Sequence, residues 1–237
     1  MWRRLLSTAV VTVALVLPLA GMASAENTAQ PAARPYDWRS VLTQSVKVQM
    51  KINSEFEFSK KRRVPIHFTM GLPFSKDTLI TRTRFPEQQG NLAEIQFLSP
   101  DKMLMEYITI SVGTVGGDTA EERLKRLFAV IDRQVYPSLT PPSTAKILGG
   151  RKTTIAGHPA IEFVSLFEDP KLGSVAARIV GVIAPNNTDV VFLVQRTMRD
   201  KMNLSGPDEL AKTFGGTILS SLTFQGYRDA SGAFVAF

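Results

Sequence analysis

Residues 116–137, GGDTAEERLKRLFAVIDRQVYP, set the narrowest limit on what this chain folds into, because they carry its clearest helical period. Leu124, Leu127, Phe128, Ile131 and Val135 fall on one helical stripe, while Arg123, Lys125, Arg126 and Asp132 lie outside it. Asp118 or Thr119 caps the segment, since each has a glutamate three residues on, as a capping box requires. Pro137 is expected to close it. A helix that is apolar on one side only must lie against another layer.

The rest of the chain supplies that layer as strands. From Val46 to Phe58 residues alternate: Val46, Val48, Met50, Ile52, Phe56 and Phe58 against Lys47, Gln49, Lys51, Asn53, Glu55 and Glu57, with Ser54 interrupting. VPIHFTMGLPF (64–74) is extended. NLAEIQFLSPDKMLMEYITISVG (91–113) reads as a hairpin of strands 92–98 and 103–112 turning at Ser99-Pro100-Asp101-Lys102. After a linker over 138–150 come strands at 152–155, 160–167, 175–184 and 189–197, the last two joined by a tight turn at Pro185-Asn186-Asn187-Thr188. SGPDELAKTFGGTILSSLTF (205–224) predicts a second helix, capped at Ser205, with Leu210, Phe214, Ile218 and Leu222 in an i, i+4 stripe. Gly215-Gly216 is costly inside a helix, and either seats it close to the sheet or bends it. The tail QGYRDASGAFVAF closes the sheet or docks elsewhere. The pattern predicts one α+β domain: an antiparallel sheet with two main flanking helices.

The N-terminal segment MWRRLLSTAVVTVALVLPLAGMASA reads as an export signal. Arg3 and Arg4 precede an apolar run over 9–20, and Ala23-Ser24-Ala25 suits signal peptidase. The run is short for a membrane span, so the expected product is periplasmic or secreted, cleaved after Ala25, with no transmembrane span. Residues 26–40, opening ENTAQPAARP, read as a disordered leader, and 41–237 as the folded domain. With no cysteine, packing alone must hold the fold. The chain has 28 Lys and Arg against 21 Asp and Glu; losing Arg3 and Arg4 leaves 26 against 21. That surplus favours an acidic partner or an anionic lipid surface, and the lack of a basic, aromatic-studded motif argues against nucleic acid.

Few residues are placed to carry chemistry. His158, between Gly157 and Pro159, and His67, between Ile66 and Phe68, have no serine elbow or orienting group in sequence, so each reads as structural. Two histidines without cysteine form no recognisable zinc site, and Glu168-Asp169 alone is a poor calcium site. Glu94, Glu106 and Glu162 sit in strand-like segments, but nothing pairs them as a glycosidase needs. GTVGGD (113–118) places glycines at a helix N-terminus, where an anion can sit, but the pattern is weak and ordinary strand-to-helix turn chemistry explains it better. Lys60, Lys61, Arg62 and Arg63 form the densest charge run after the signal and are the candidate contact for an anion or a partner. No catalytic residue, metal or cofactor is expected.

The order of these elements, from F-x-M-x-L-P through the IQFLSPD…YITISV hairpin, the helix, TIAGHPAIEFVSLF and the closing LSSLTF, resembles the PsbP-like or Mog-type fold family, with its bacterial exported PsbP- and DcrB-like members. The resemblance covers about 64–224. It implies an α/β/α sandwich around an antiparallel sheet, and non-enzymatic accessory or partner-binding modules. The expected function is therefore an exported, non-catalytic binding module of the bacterial cell envelope with a protein partner. The alternatives are an envelope hydrolase with a dispersed site near His158, or a peripheral protein holding anionic lipid through Lys60–Arg63.

Overall fold

The computed structural model describes residues 36–48, 66–84, 91–139 and 145–237. The segment read as an export signal, the alternating run beyond Val48 and the Lys60, Lys61, Arg62, Arg63 cluster lie outside the described residues. Seven antiparallel strands form the main sheet. They are β4 (Leu79–Arg84), β5 (Asn91–Leu98), β6 (Leu104–Thr114), β7 (Lys146–Ile155), β8 (His158–Asp169), β9 (Gly173–Ile183) and β10 (Asp189–Met198), in the order β4-β5-β6-β10-β9-β8-β7. Two small sheets accompany it. One pairs β1 (Val46–Val48) with β3 (Leu72–Phe74), and the other joins β2 (Ile66–Thr69), β11 (Thr223–Arg228) and β12 (Phe234–Ala236).

Both faces of the main sheet are covered, which makes its central strands apolar at nearly every position. In β9 all residues from Val175 to Ile183 are buried. On one face α2 (Ala120–Val130) lays Leu127 and its continuation Ile131 and Val135 over Ile161, Phe163, Ile179 and Val194. On the other face Ile108, Ile110, Val180 and Leu193 meet α1 (Trp38–Gln44), Met202 of α4 (Arg199–Met202), α5 (Phe214–Ser220) and the small sheets. Each such large side chain contributes about 1.5–3 kcal/mol when fully buried. Phe97 stacks on Phe214 at 4.5 Å between centroids and ties α5 to the sheet.

Several boundaries differ from the sequence reading, each for a local reason. Thr119, rather than Asp118, is the α2 cap: its hydroxyl accepts from the Glu122 N–H while the Glu122 side chain accepts from the Thr119 N–H. Pro137 does not end the helix. One wider π turn, Ile131–Val135, precedes it, and the chain stays helical through α3 (Tyr136–Leu139), so Pro137 falls in the last turn of a continuous helical run, just after the wider turn. Residues 146–150, expected as linker, open β7. The second main helix is broken. A 3-10 turn (Pro207–Lys212) and the short α5 meet at Thr213, and Ser205 does not cap them with its side chain; its N–H instead donates to Glu209. The expected leader to residue 40 is too long, because α1 begins at Trp38, whose ring is buried and whose Nε1 donates to the Met202 carbonyl at 2.7 Å. Among the described residues no helix is long and apolar enough to cross a membrane.

Candidate functional site

Strand alternation places Ala160, Glu162, Val164 and Leu166 of β8 on the face that carries α5, and Ile161 and Phe163 on the face that carries α2. The same parity puts Arg178 of β9, Gln195 and Thr197 of β10 and Glu106 of β6 beside Glu162's row. Register completes it: Arg151 lies opposite Glu162, Arg178 opposite Gln195, and Thr197 opposite Glu106. A buried polar seam therefore crosses five strands within an otherwise apolar face.

At one end the seam is ionic. Arg178 Nε donates to Glu162 Oε1 at 2.5 Å, and Arg151 Nε donates to Oε2 at 2.6 Å. Glu162 and Arg178 are both buried, whereas the Arg151 side chain is 69% exposed. Burial pushes the Glu162 carboxyl upward, but the two guanidinium groups outweigh it and hold it below the usual carboxylate range. Such a carboxylate stays charged and has both oxygens committed, so it is poorly suited to moving protons.

At the other end the partners are uncharged. Glu106 is fully buried, and its Oε1 accepts from the Thr213 hydroxyl at 2.9 Å, the Thr197 hydroxyl at 3.2 Å and the Gly215 N–H at 3.2 Å. Burial raises its pKa to about 7, and these hydrogen bonds offset only part of that rise. Gln195 Nε2 links the nest to the 3-10 turn and its junction with α5 by donating to Thr213 Oγ1 at 2.7 Å and to the Leu210 carbonyl at 3.0 Å. The glycine pair is what brings α5 so near. A Cβ on Gly215 would stand 2.9 Å from the Gln195 side chain and Glu106 Oε1, and one on Gly216 would run into the Ala211 carbonyl.

A cleft of about 360 Å³ opens at the ionic end, between Leu148–Arg151 of β7 and Pro207, Asp208 and Ala211 of the 3-10 turn. Glu162 and Val164 reach its floor. Gly149, at φ +144° beside a register shift, forms its outer lip. Beyond the cleft β7 is the last strand of the sheet, exposed at every residue from Lys146 to Lys152.

The residues singled out in the sequence are dispersed. His158 opens β8 and packs its ring edge-on against Phe224 at 4.8 Å; burial lowers its pKa, and it does not line the cleft. His67 is buried with its ring edge-on to Phe234 at 5.0 Å. Glu94 belongs to the other face, where it accepts from the Tyr107 hydroxyl at 2.9 Å. Asp169 closes its own hairpin by accepting from the Lys171 and Leu172 N–H groups, and among the described residues no acidic or histidine cluster could hold a metal. The anion position before α2 is already filled, because Glu122 Oε2 accepts from the Asp118 and Thr119 N–H groups. Glu106 and Glu162 do share a face, but only Glu162 reaches the cleft. Arg151, Arg178 and Gln195 were missed in the sequence; an arginine and a glutamine inside continuous apolar strands, ARIVGVI and VVFLVQRTM, were the available signal.

No family model and no curated protein matches the chain. Solved structures of similar fold are the Ran-binding protein Mog1p of Saccharomyces cerevisiae (13% identity, 68% of this chain and 94% of that one, TM-score 0.38) and cyanobacterial PsbP from Synechocystis (9% identity, 70% and 96%, TM-score 0.38). A protein of unknown function from Pseudomonas aeruginosa is also similar (15% identity, 61% and 83%, TM-score 0.30). Mog1p and PsbP are the two proteins for which the PsbP-like or Mog-type resemblance is named. At these scores the likeness describes a fold and gives no residue a role.

Proposed function

We propose that this chain is an exported, non-catalytic partner-binding module of the bacterial cell envelope, released by cleavage after Ala25, and that its partner is a protein. The observation that carries the reading is the edge of β7, which no strand pairs among the described residues and which runs beside the cleft, offering backbone and a pocket in one place. The absence of catalysis is supported by the commitment of both Glu162 oxygens to guanidinium groups and by the enclosure of Glu106 under α5.

Crosslinking of the mature protein in its own envelope, read by mass spectrometry, tests the proposal. One dominant protein partner is expected, together with a mature N-terminus at Glu26 in the exported fraction. Recovery of lipid alone, lost when Lys60, Lys61, Arg62 and Arg63 are replaced, would overturn the protein partner in favour of an anionic surface.

A further inference from the structure

Register puts Lys146 opposite Leu166 and Arg151 opposite Glu162, so two exposed cations share the cleft side of the β7 edge. Arg178 and Arg151 also set two guanidinium groups against one carboxylate. Among the described residues the one hydrogen bond of the Arg151 side chain is through Nε, which leaves the fork of its Nη groups at the cleft. Asp208, across the cleft, acts on Arg151 through space. Beside these charges lie Leu148, 39% exposed, and Val164 and Ala211. Lys152 points to the opposite face, where it meets Glu121 of α2 at 3.8 Å.

Resting on the partner-binding reading above, we infer that the β7 edge receives an extended acidic segment of the partner as an added antiparallel strand, with carboxylates at alternate positions on the cleft side, where the Arg151 fork and Lys146 lie. Alternation suits this occupant: every second residue of an added strand faces the cleft side, and the backbone pairing requires no particular sequence. A second copy fits poorly, because β7 (KILGGRKTTI) carries Lys146, Arg151 and Lys152 and no carboxylate to answer them.

The test uses a labelled ten-residue peptide alternating glutamate and valine, the length of β7, titrated onto the mature protein. Its counterparts are a lysine–valine alternation and a peptide of the same composition in two blocks. The alternating acidic peptide is expected to bind saturably and to slow amide exchange along 146–155 while leaving Leu79–Arg84 at the other edge unchanged. Arg151→Gln should weaken it about tenfold, and Lys146→Gln by less, with both variants keeping the free protein's exchange pattern elsewhere. Equal binding of the lysine or block peptide, protection at Leu79–Arg84 instead, or no saturable binding overturns the inference. So does concentration-dependent protection of 146–155 without peptide, which would give the edge to a second copy. Envelope crosslinks to a partner through other surfaces would sink this inference and leave partner binding standing; peptide binding with no partner in the envelope would do the reverse.

Discussion

Glu106 and Glu162 lie on the same face of the same sheet and are equally hidden from water, yet their chemistry runs in opposite directions. Glu162 meets two guanidinium groups and is held charged; Glu106 meets hydroxyls and one backbone N–H, and burial raises its pKa to about 7. Burial alone therefore does not decide the state of a carboxyl group. The charge of what it is buried against decides it. The contrast is also one of access, since the ionic end opens to the cleft whereas the other end is sealed by α5.

The largest effect is expected where that contrast is broken on the ionic side. Glu162→Ala leaves the Arg178 guanidinium buried without its carboxylate, and should cost about 3–5 kcal/mol in urea unfolding. A loss of about 1 kcal/mol or less, as an exposed ion pair gives, would mean that Arg178 reaches water and that the seam is not dry. Next comes the pH dependence. The folded pKa of Glu106 lies above its ordinary value of 4.5, so the folded protein holds the extra proton between 4.5 and about 7. The stabilisation is complete below that window and is lost as pH rises through it, an effect on the order of 3 kcal/mol. Glu106→Gln should flatten this slope. Glu162 acts with the opposite sign: its folded pKa is depressed, so its contribution is present above the unfolded value and fades as pH falls. Stability curves against pH for Glu106→Gln and wild type would refute the contrast if they ran parallel.

Smaller effects sharpen the same comparison. Gly215→Ala pushes a methyl group against Gln195 and Glu106, and should destabilise by about 1–3 kcal/mol while loosening amide protection in α5 more than in β8. A neutral result in thermal melts would show that α5 can shift off the seam. Smallest is Arg151→Gln, which removes a mostly exposed ion-pair partner and should change stability by less than about 1 kcal/mol. Its main consequence is expected in peptide binding, so a large loss of stability would move Arg151 from the cleft's binding surface to the fold itself.

Local pattern made much of the architecture legible. The capping box at Thr119, the Ser99–Lys102 turn and the Pro185–Thr188 turn each rest on contacts within a few residues, and all appear in place. The apolar stripe Leu210, Phe214, Ile218 and Leu222 is buried throughout, although the backbone beneath it changes from a 3-10 turn to α5 at Thr213. The break escaped the periodicity because a stripe repeating every fourth residue does not report the hydrogen bonds between its members. β7 was half hidden in the expected linker, since an edge strand exposed on both sides lacks alternation. The site was the least legible part. Glu162, Arg178, Gln195 and Glu106 stand in strands buried on both faces, where apolar residues run continuously and no period tells one face from the other.

By itself the sequence determined the class of fold: one amphipathic helix among runs of strand residues admits few layered solutions, and the caps and turns that delimit them are matters of neighbouring residues. Only the tertiary structure decided that four polar side chains from separate strands form one seam, that one glutamate is held charged while the pKa of the other rises to about 7, and that among the described residues the last strand leaves an edge open beside a cleft. Strand order and register bring Glu106 and Glu162, 56 residues apart by their numbers, onto one face. Because solvation and Coulomb interaction depend on distance in space rather than along the chain, the chemistry of each could not be read until that face was assembled.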